Sequence, residues 1–450
     1  MQAGRVDRIG LHLGEEWPLA LVALAAPFLL FPTVTPAATL ISGALAIVCP
    51  IVWFCNRSWP PTCLRWPLLG LSLGVVAAAW FSPFPSLSVP KLCGFALGLL
   101  LFGATLSTAR TLERVWQISG LYFVAGLGTV VFALFATDWL NKFPGLSTVT
   151  AWLPARFTHL PGMARGVHPN ALAGTTLSFL PVALCLLRVK SKRPASGAAA
   201  GRPPDDWRRS RLLSPGIVLG GGGLLVGVLA ICQSRTAWMA LAATLVVFGL
   251  SGRRRLRIVT GLGVLSVACL VFFNATLRAP VPATMAGWPG ADLDLAGRIE
   301  IWSRALAGIQ DFPLTGMGLN AFRAQVRTWY PLVHSGPGLD IAHAHNLYLE
   351  TALDVGLPGL VCYVALLLLA TTLAWQVVLS ARSEPERRLA MGLWGAIFAG
   401  QVFGITDAIV LGAKVGLFFW LDLGLIVALH QRVLREQSHT QIVGGSSGNI

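Results

Sequence analysis

The chain has 450 residues, 55% of them apolar and only 12% charged, with mean hydropathy +0.68, against about 25% charged residues in a soluble globular protein. This excludes a water-soluble globule and points to an all-α polytopic membrane protein, with room for roughly ten to twelve spans of about 20 apolar residues each. A net charge of +15 would indicate nucleic acid in a soluble protein, but in a membrane protein excess Lys and Arg collect in cytoplasmic loops, so the charge names no nucleic-acid partner.

The N-terminal stretch MQAGRVDRIGLHLGEEWP reads as a cytoplasmic tail without a cleavable signal. Runs long enough to cross fall near residues 17–32, 36–55, 67–82, 90–106, 116–135, 169–187, 214–232, 236–250, 257–273, 356–376, 389–406 and 413–430, about twelve spans in all. With the N-terminus inside, the basic clusters RVKSKRP, WRRSR, SGRRRLR and ARSEPERR all fall on the cytoplasmic side, and a shift of one span would put them all outside. Spans one to nine then fill residues 1–273, with a basic cytoplasmic loop at 188–213 whose stretch 191–211, rich in Ala, Gly, Pro and Arg, reads as disordered. Residues 274–345 form a large periplasmic loop, 346–430 carry spans ten to twelve, and 431–450 are a cytoplasmic tail. The Gly220–Gly223 run with Gly227 fits close helix packing in a membrane. The eight cysteines lie mostly in apolar runs without a CxxC pair and read as packing residues.

Within the large outer loop, RIEIWSRALAGIQ repeats Trp302, Ala305, Leu306 and Ile309 at helical spacing and stops at Asp311-Phe312-Pro313. AFRAQVRTWY is a second candidate helix. Charged residues at the outer face are functional candidates because an unpaired charge there is costly. Arg235 occupies the tight outer turn between two spans and should face an anion or snorkel at the helix end. Arg165 precedes Gly166-Val167-His168-Pro169-Asn170, where Pro and Asn suit a helix start. Arg298 opens the loop helix at the end its dipole disfavours, so an anion, Glu300 or Asp294 is expected beside it.

The densest outer cluster is Asp340-Ile341-Ala342-His343-Ala344-His345-Asn346-Leu347-Tyr348-Leu349-Glu350. A helix starting at its end keeps an adjacent imidazole neutral, the form a general base needs. A metal site on Asp340, His343 and His345 is the rival, with no second His or Cys cluster in the sequence to complete it. Asp407 and Lys414, at the last outer turn, either pair with each other or line the same cavity. No GxSxG, HExxH or Walker motif appears, which removes the common hydrolase, protease and ATPase readings. Several guanidiniums suit a diphosphate, and a base beside one suits transfer onto a hydroxyl with diphosphate leaving.

The segments GRIEIWSRALAGIQDFPLTGMGLNAF and AHAHNLYLETALDVGLPGL, with QSRTAWMALA and RGVHPNALAG, resemble the O-antigen ligase and O-antigen polymerase superfamily over roughly residues 160–420. In the ligases the loop histidine is followed by Asn, Ser or Gln and, after nine residues, by Gly, as His345, Asn346 and Gly356 are here. The last small or Tyr position of that pattern falls on Val361, and Met239 stands where the ligase arginine motif, matched on Arg235, carries Leu. The resemblance implies a GT-C-like glycosyltransferase of the bacterial inner membrane, working on the periplasmic face without a metal or other cofactor. It implies transfer of a preassembled glycan from undecaprenyl diphosphate to a sugar hydroxyl of lipid A-core, completing lipopolysaccharide. His345 is then the base or orients the acceptor, and Arg235 and Arg298 hold the leaving diphosphate. Arg165 joins them, with His168, His343, Asn346 and Tyr348 in support.

Two other readings keep the same donor: a polymerase extending a lipid-linked glycan, and a protein O-oligosaccharyltransferase. A twelve-helix transporter is a further rival, but it should carry its polar residues at the bilayer midplane, whereas here they cluster at the outer face.

Overall fold

The structure, a computed structural model, describes residues 17–30, 62–137, 166–187, 213–250, 295–333, 340–381 and 383–445, with a few isolated positions between them. Among the described residues the regular structure is helical, apart from one bridge between Thr137 and Val167. In chain order the helices are α1 (Trp17–Leu30), α2 (Arg65–Trp80), α3 (Pro85–Thr108), α4 (Leu112–Leu134), α5 (Pro169–Leu177) and α6 (Leu180–Leu187). They continue as α7 (Pro215–Cys232), α8 (Arg235–Leu250), α9 (Leu295–Asp311), α10 (Phe322–Trp329), α11 (Leu347–Ser380), α12 (Glu384–Phe403) and α13 (Leu417–Gly445).

Among the described residues six segments are long and apolar enough to cross a membrane: α3, α4, α5 with α6, α7, α11, and the stretch Lys414–Arg435. α2 and α8 are shorter apolar helices. The chain is therefore a polytopic membrane protein. The expected spans 36–55 and 257–273, and the loop 188–213 almost entirely, lie outside the described residues.

The helix ends follow local chemistry. Thr111, Ser214 and Ser383 cap α4, α7 and α12 by accepting from the backbone N–H of Arg114, Ile217 and Glu386, which satisfies donors that a helix start leaves orphaned. Pro215 and Pro385 sit in the first turn, where the missing N–H costs nothing. In the Gly220–Gly223 run Gly221 lies at a close approach, against Phe123 and Leu127, while Gly220, Gly222, Gly223 and Gly227 meet no atom within 4 Å among the described residues. Gly221 serves helix packing.

Two cores organise the molecule. The larger one joins the apolar helices, with α11 packed on α2 and α12, and α13 on α3. The smaller one gathers Ile301 and Ala305 of α9, Met317, Phe322 and Val326, Ile341, Ala344 and Leu353. α9 ends at Asp311 as its sequence requires, but its buried stripe runs through Ile301, Ala305 and Gly308 while Leu306 points outward. This small core matters for function because it pins Ala344, which lies between the two loop histidines.

α11 is broken at Gly356, whose φ of 73° lies in the left-handed region. The α9–α10 segment clips onto the break: Leu357 N–H donates to the Pro313 carbonyl at 2.8 Å and Met317 N–H to that of Leu353 at 2.6 Å. A Cβ at Gly356 would overlap the Leu314 carbonyl, so glycine is required there. The break also lets Tyr348 and Tyr363 both reach the Gln401 amide oxygen, at 3.4 and 3.2 Å. Residues fifteen apart in an unbroken helix would be about 22 Å apart.

Candidate active site

The start of α11 is stitched to the end of α12. Asn346 caps α11, its Oδ1 accepting from Tyr348 N–H at 2.9 Å and Leu349 N–H at 3.0 Å. Its Nδ2 donates to the Ile405 carbonyl at 2.9 Å, and Leu347 N–H donates to the Gly404 carbonyl at 2.7 Å. These bonds bring the turn after α12, with Thr406 and Asp407, up against His343 and His345.

Asp407 is 5% exposed. Its Oδ1 accepts from Ala408 N–H at 2.9 Å and lies 3.8 Å from His343 Nε2 and 3.7 Å from His345 Nδ1. The two imidazole rings are 4.4 Å apart at their centroids. Asp407 therefore turns to the histidines, not to Lys414. His343 Nδ1 accepts from the His345 N–H at 3.1 Å, which places the ring proton on Nε2, facing the carboxylate. Burial, joined by the charge of His345, pushes the His343 imidazole down to about 3 against the opposing pull of Asp407, so His343 is neutral at physiological pH. Burial works to raise the Asp407 carboxyl, but the imidazoles and the Ala408 N–H outweigh it and hold the group below the ordinary carboxylate range. Asp407 is ionised.

His345 itself has φ 49°, a left-handed conformation that costs a non-glycine residue about 1–2 kcal/mol and persists only where neighbours enforce it. Its carbonyl accepts from Trp302 Nε1 at 3.3 Å, and its Nδ1 is buried beside Asp407 without a hydrogen bond shorter than that contact. With Nδ1 turned to the carboxylate, Nε2 is the nitrogen left for a substrate. This is the arrangement of a base with its orienting acid, and such contacts commonly tighten when substrate binds.

Cations border the cluster. Arg298 donates through Nη1 to the Thr406 carbonyl, next to Asp407, and not to Glu300, one of its two expected partners. The Glu300 carboxylate is taken by Val333 N–H, and Asp294 lies outside the described residues. The Thr406 hydroxyl meets the Thr236 hydroxyl at 3.0 Å, which brings the N-terminus of α8 and Arg235 to the same turn. Arg235 is exposed and makes no hydrogen bond or ion pair among the described residues. His168 caps α5 through Nδ1 and Asn170 N–H at 3.2 Å, and its charge is felt at His343. The positive ends of α8 and α11 thus meet at one turn, a setting that favours an anion.

Tyr348 does not join the cluster as expected. The Tyr348 hydroxyl is occupied by Gln401, and Arg165 lies outside the described residues. Asp340 pairs with Arg323, so it is not available to complete a metal site. Its place is taken by Asp407: His343 Nε2, His345 Nδ1 and an Asp407 oxygen all lie within 4.8 Å of one another and could together hold a metal ion.

Residues 221–364 match the O-antigen ligase family. The chain is also 29% identical over 195 residues to the exopolysaccharide production protein ExoQ of Rhizobium meliloti (strain 1021), a match covering 40% of this chain and 43% of that protein. The resemblance to the O-antigen ligase and polymerase superfamily holds. The O-antigen ligase match contains Arg235, Arg298, His343, His345, Asn346 and Tyr348. Asp407 and His168 fall outside it. Asp407 is the residue that motif reasoning left undecided, and its signal was a carboxylate in an outer turn with nothing to neutralise it except a distant lysine.

Proposed function

We propose that this protein is an O-antigen ligase of the bacterial inner membrane with a periplasmic active site. It moves a preassembled glycan from undecaprenyl diphosphate to a sugar hydroxyl of lipid A-core. The observation that carries the reading is the cluster of His345, the ionised Asp407 and the neutral His343 beside the cations Arg298 and Arg235. His345 Nε2 takes the proton of the acceptor hydroxyl, whose oxygen attacks the anomeric carbon as the bond to the diphosphate breaks. The imidazolium that forms is stabilised by Asp407. Negative charge developing on the departing diphosphate is met by fixed guanidiniums and helix N-termini, which need no reorganisation. No metal is required, since these groups supply the positive charge.

A groove of about 230 Å³ between α11 and α12, lined by Tyr348, Leu367, Leu368, Trp394, Phe398 and Gln401, supports lateral entry of a lipid-linked donor from the bilayer. The likeness to a protein of exopolysaccharide production favours one second reading, a polymerase whose acceptor is another undecaprenyl-linked glycan.

The test is transfer by purified protein in detergent, with undecaprenyl diphosphate-linked glycan, lipid A-core and EDTA. A ladder on lipid A-core supports the ligase reading and a metal-free site. Longer undecaprenyl-linked chains with nothing on lipid A-core support the polymerase instead. Loss of product in EDTA, restored by a divalent cation, would turn the His343, His345 and Asp407 cluster into a metal site.

A further inference from the structure

We infer that Glu350 is a positioning residue for the transfer reaction: its carboxylate fixes the His343–His345 turn in the left-handed conformation that aims His345. The inference rests on the reading of His345 as the base. Glu350 lies in the first turn of α11 and is 2% exposed. Its Oε2 accepts from Ala344 N–H at 2.7 Å, reaching back over the Asn346 cap into the turn before the helix. Ala344 is fully buried in the small core. Two bonds therefore bracket His345, one from its own N–H to His343 Nδ1 and one from the preceding N–H to Glu350. The second adds to the Trp302 bond on the His345 carbonyl in holding a non-glycine residue at positive φ.

The carboxylate is itself held. Lys91 of α3 interacts electrostatically with Glu350 and with Asp354, one turn further along α11. Asp354 accepts from Asn320 N–H at 2.6 Å, and Asn320 also has positive φ, 59°. A pair of carboxylates spaced i, i+4 on α11 thus bonds the backbone at two left-handed turns: the one preceding α10 and the one carrying the imidazole. Lys91 is also close enough to His343 for its charge to act there.

The test compares Glu350→Ala, Glu350→Gln and Glu350→Asp by steady-state transfer and by hydrogen exchange of the amides of 342–346. A displacement of about 1 Å at a catalytic group costs on the order of a hundredfold. Glu350→Ala is therefore expected to lower kcat by about that factor, with the KM for undecaprenyl diphosphate-linked glycan unchanged and amide exchange accelerated. Glu350→Gln still offers an oxygen to Ala344 N–H, so it should restore most of kcat and the slow exchange. Glu350→Asp, one methylene short, should resemble Ala and serves if the Ala variant fails to fold. Unchanged amide protection in Glu350→Ala overturns the inference, as does wild-type kcat in Glu350→Ala and Glu350→Asp. A His345→Ala variant run alongside separates the two claims: wild-type turnover there overturns the base assignment and leaves the exchange result intact.

Discussion

Replacing Asp407 by Asn probes the electrostatics of the site most sharply. Asp407 Oδ1 lies 3.7 Å from His345 Nδ1, and at an effective dielectric of about 20 a full imidazolium there gains roughly 4.5 kcal/mol from the carboxylate. If half of that charge has developed in the transition state, the gain is about 2.2 kcal/mol. Since about 1.4 kcal/mol is tenfold in rate, loss of the carboxylate should lower kcat by between roughly 40-fold and 10³-fold. Asn keeps the size and can accept from Ala408 N–H, so the fold should persist and the donor KM should stay within about twofold. Single-turnover transfer with saturating donor, on protein checked by gel filtration, reads the chemical step directly. A kcat within about threefold of wild type would refute the base-and-acid arrangement.

Other outcomes follow from the same geometry. Arg235→Ala should leave thermal stability unchanged, because the side chain is exposed, and should raise the donor KM at least about tenfold, as expected for one lost charge-assisted diphosphate contact; donor titration checks this. Gly356→Ala should lower the melting temperature in detergent, by a free energy of at least about 2 kcal/mol, since φ is positive and the Leu314 carbonyl blocks a Cβ. The His343 imidazole falls from an ordinary 6.5 to about 3 in the folded state. Below pH 6.5 the unfolded chain binds the proton first, so the stability present above that value drains away as pH falls toward 3. Between pH 6.5 and pH 5 the loss from this residue is about 1.5 kcal/mol, and His343→Gln should flatten that part of the thermal-shift profile.

Much of the site was legible in the sequence because its parts lie beside helix starts, which have strong local signatures. A helix start was expected beside His345 and Asn346, where α11 begins, and Pro313 after Asp311-Phe312 identified the end of α9. Arg298 was legible as a charge needing a partner, but not the partner: Thr406 offers only a backbone carbonyl, and no side-chain pattern announces one. The role of Asp407 depended on a tertiary event, the stitching of Asn346 to Ile405 across 59 positions, which no periodicity encodes. Tyr348 was credited to the cluster by proximity in sequence alone. The break at Gly356 sends its hydroxyl to Gln401 instead, alongside Tyr363.

The measurement that bears most directly on the central claim is single-turnover transfer by purified His345→Ala protein, with undecaprenyl diphosphate-linked glycan and lipid A-core. Transfer should be lost with folding and donor binding intact, leaving at most the small residual rate that the guanidiniums and helix ends support. Transfer at the wild-type rate would contradict that claim and take the proton acceptor elsewhere in the outer face.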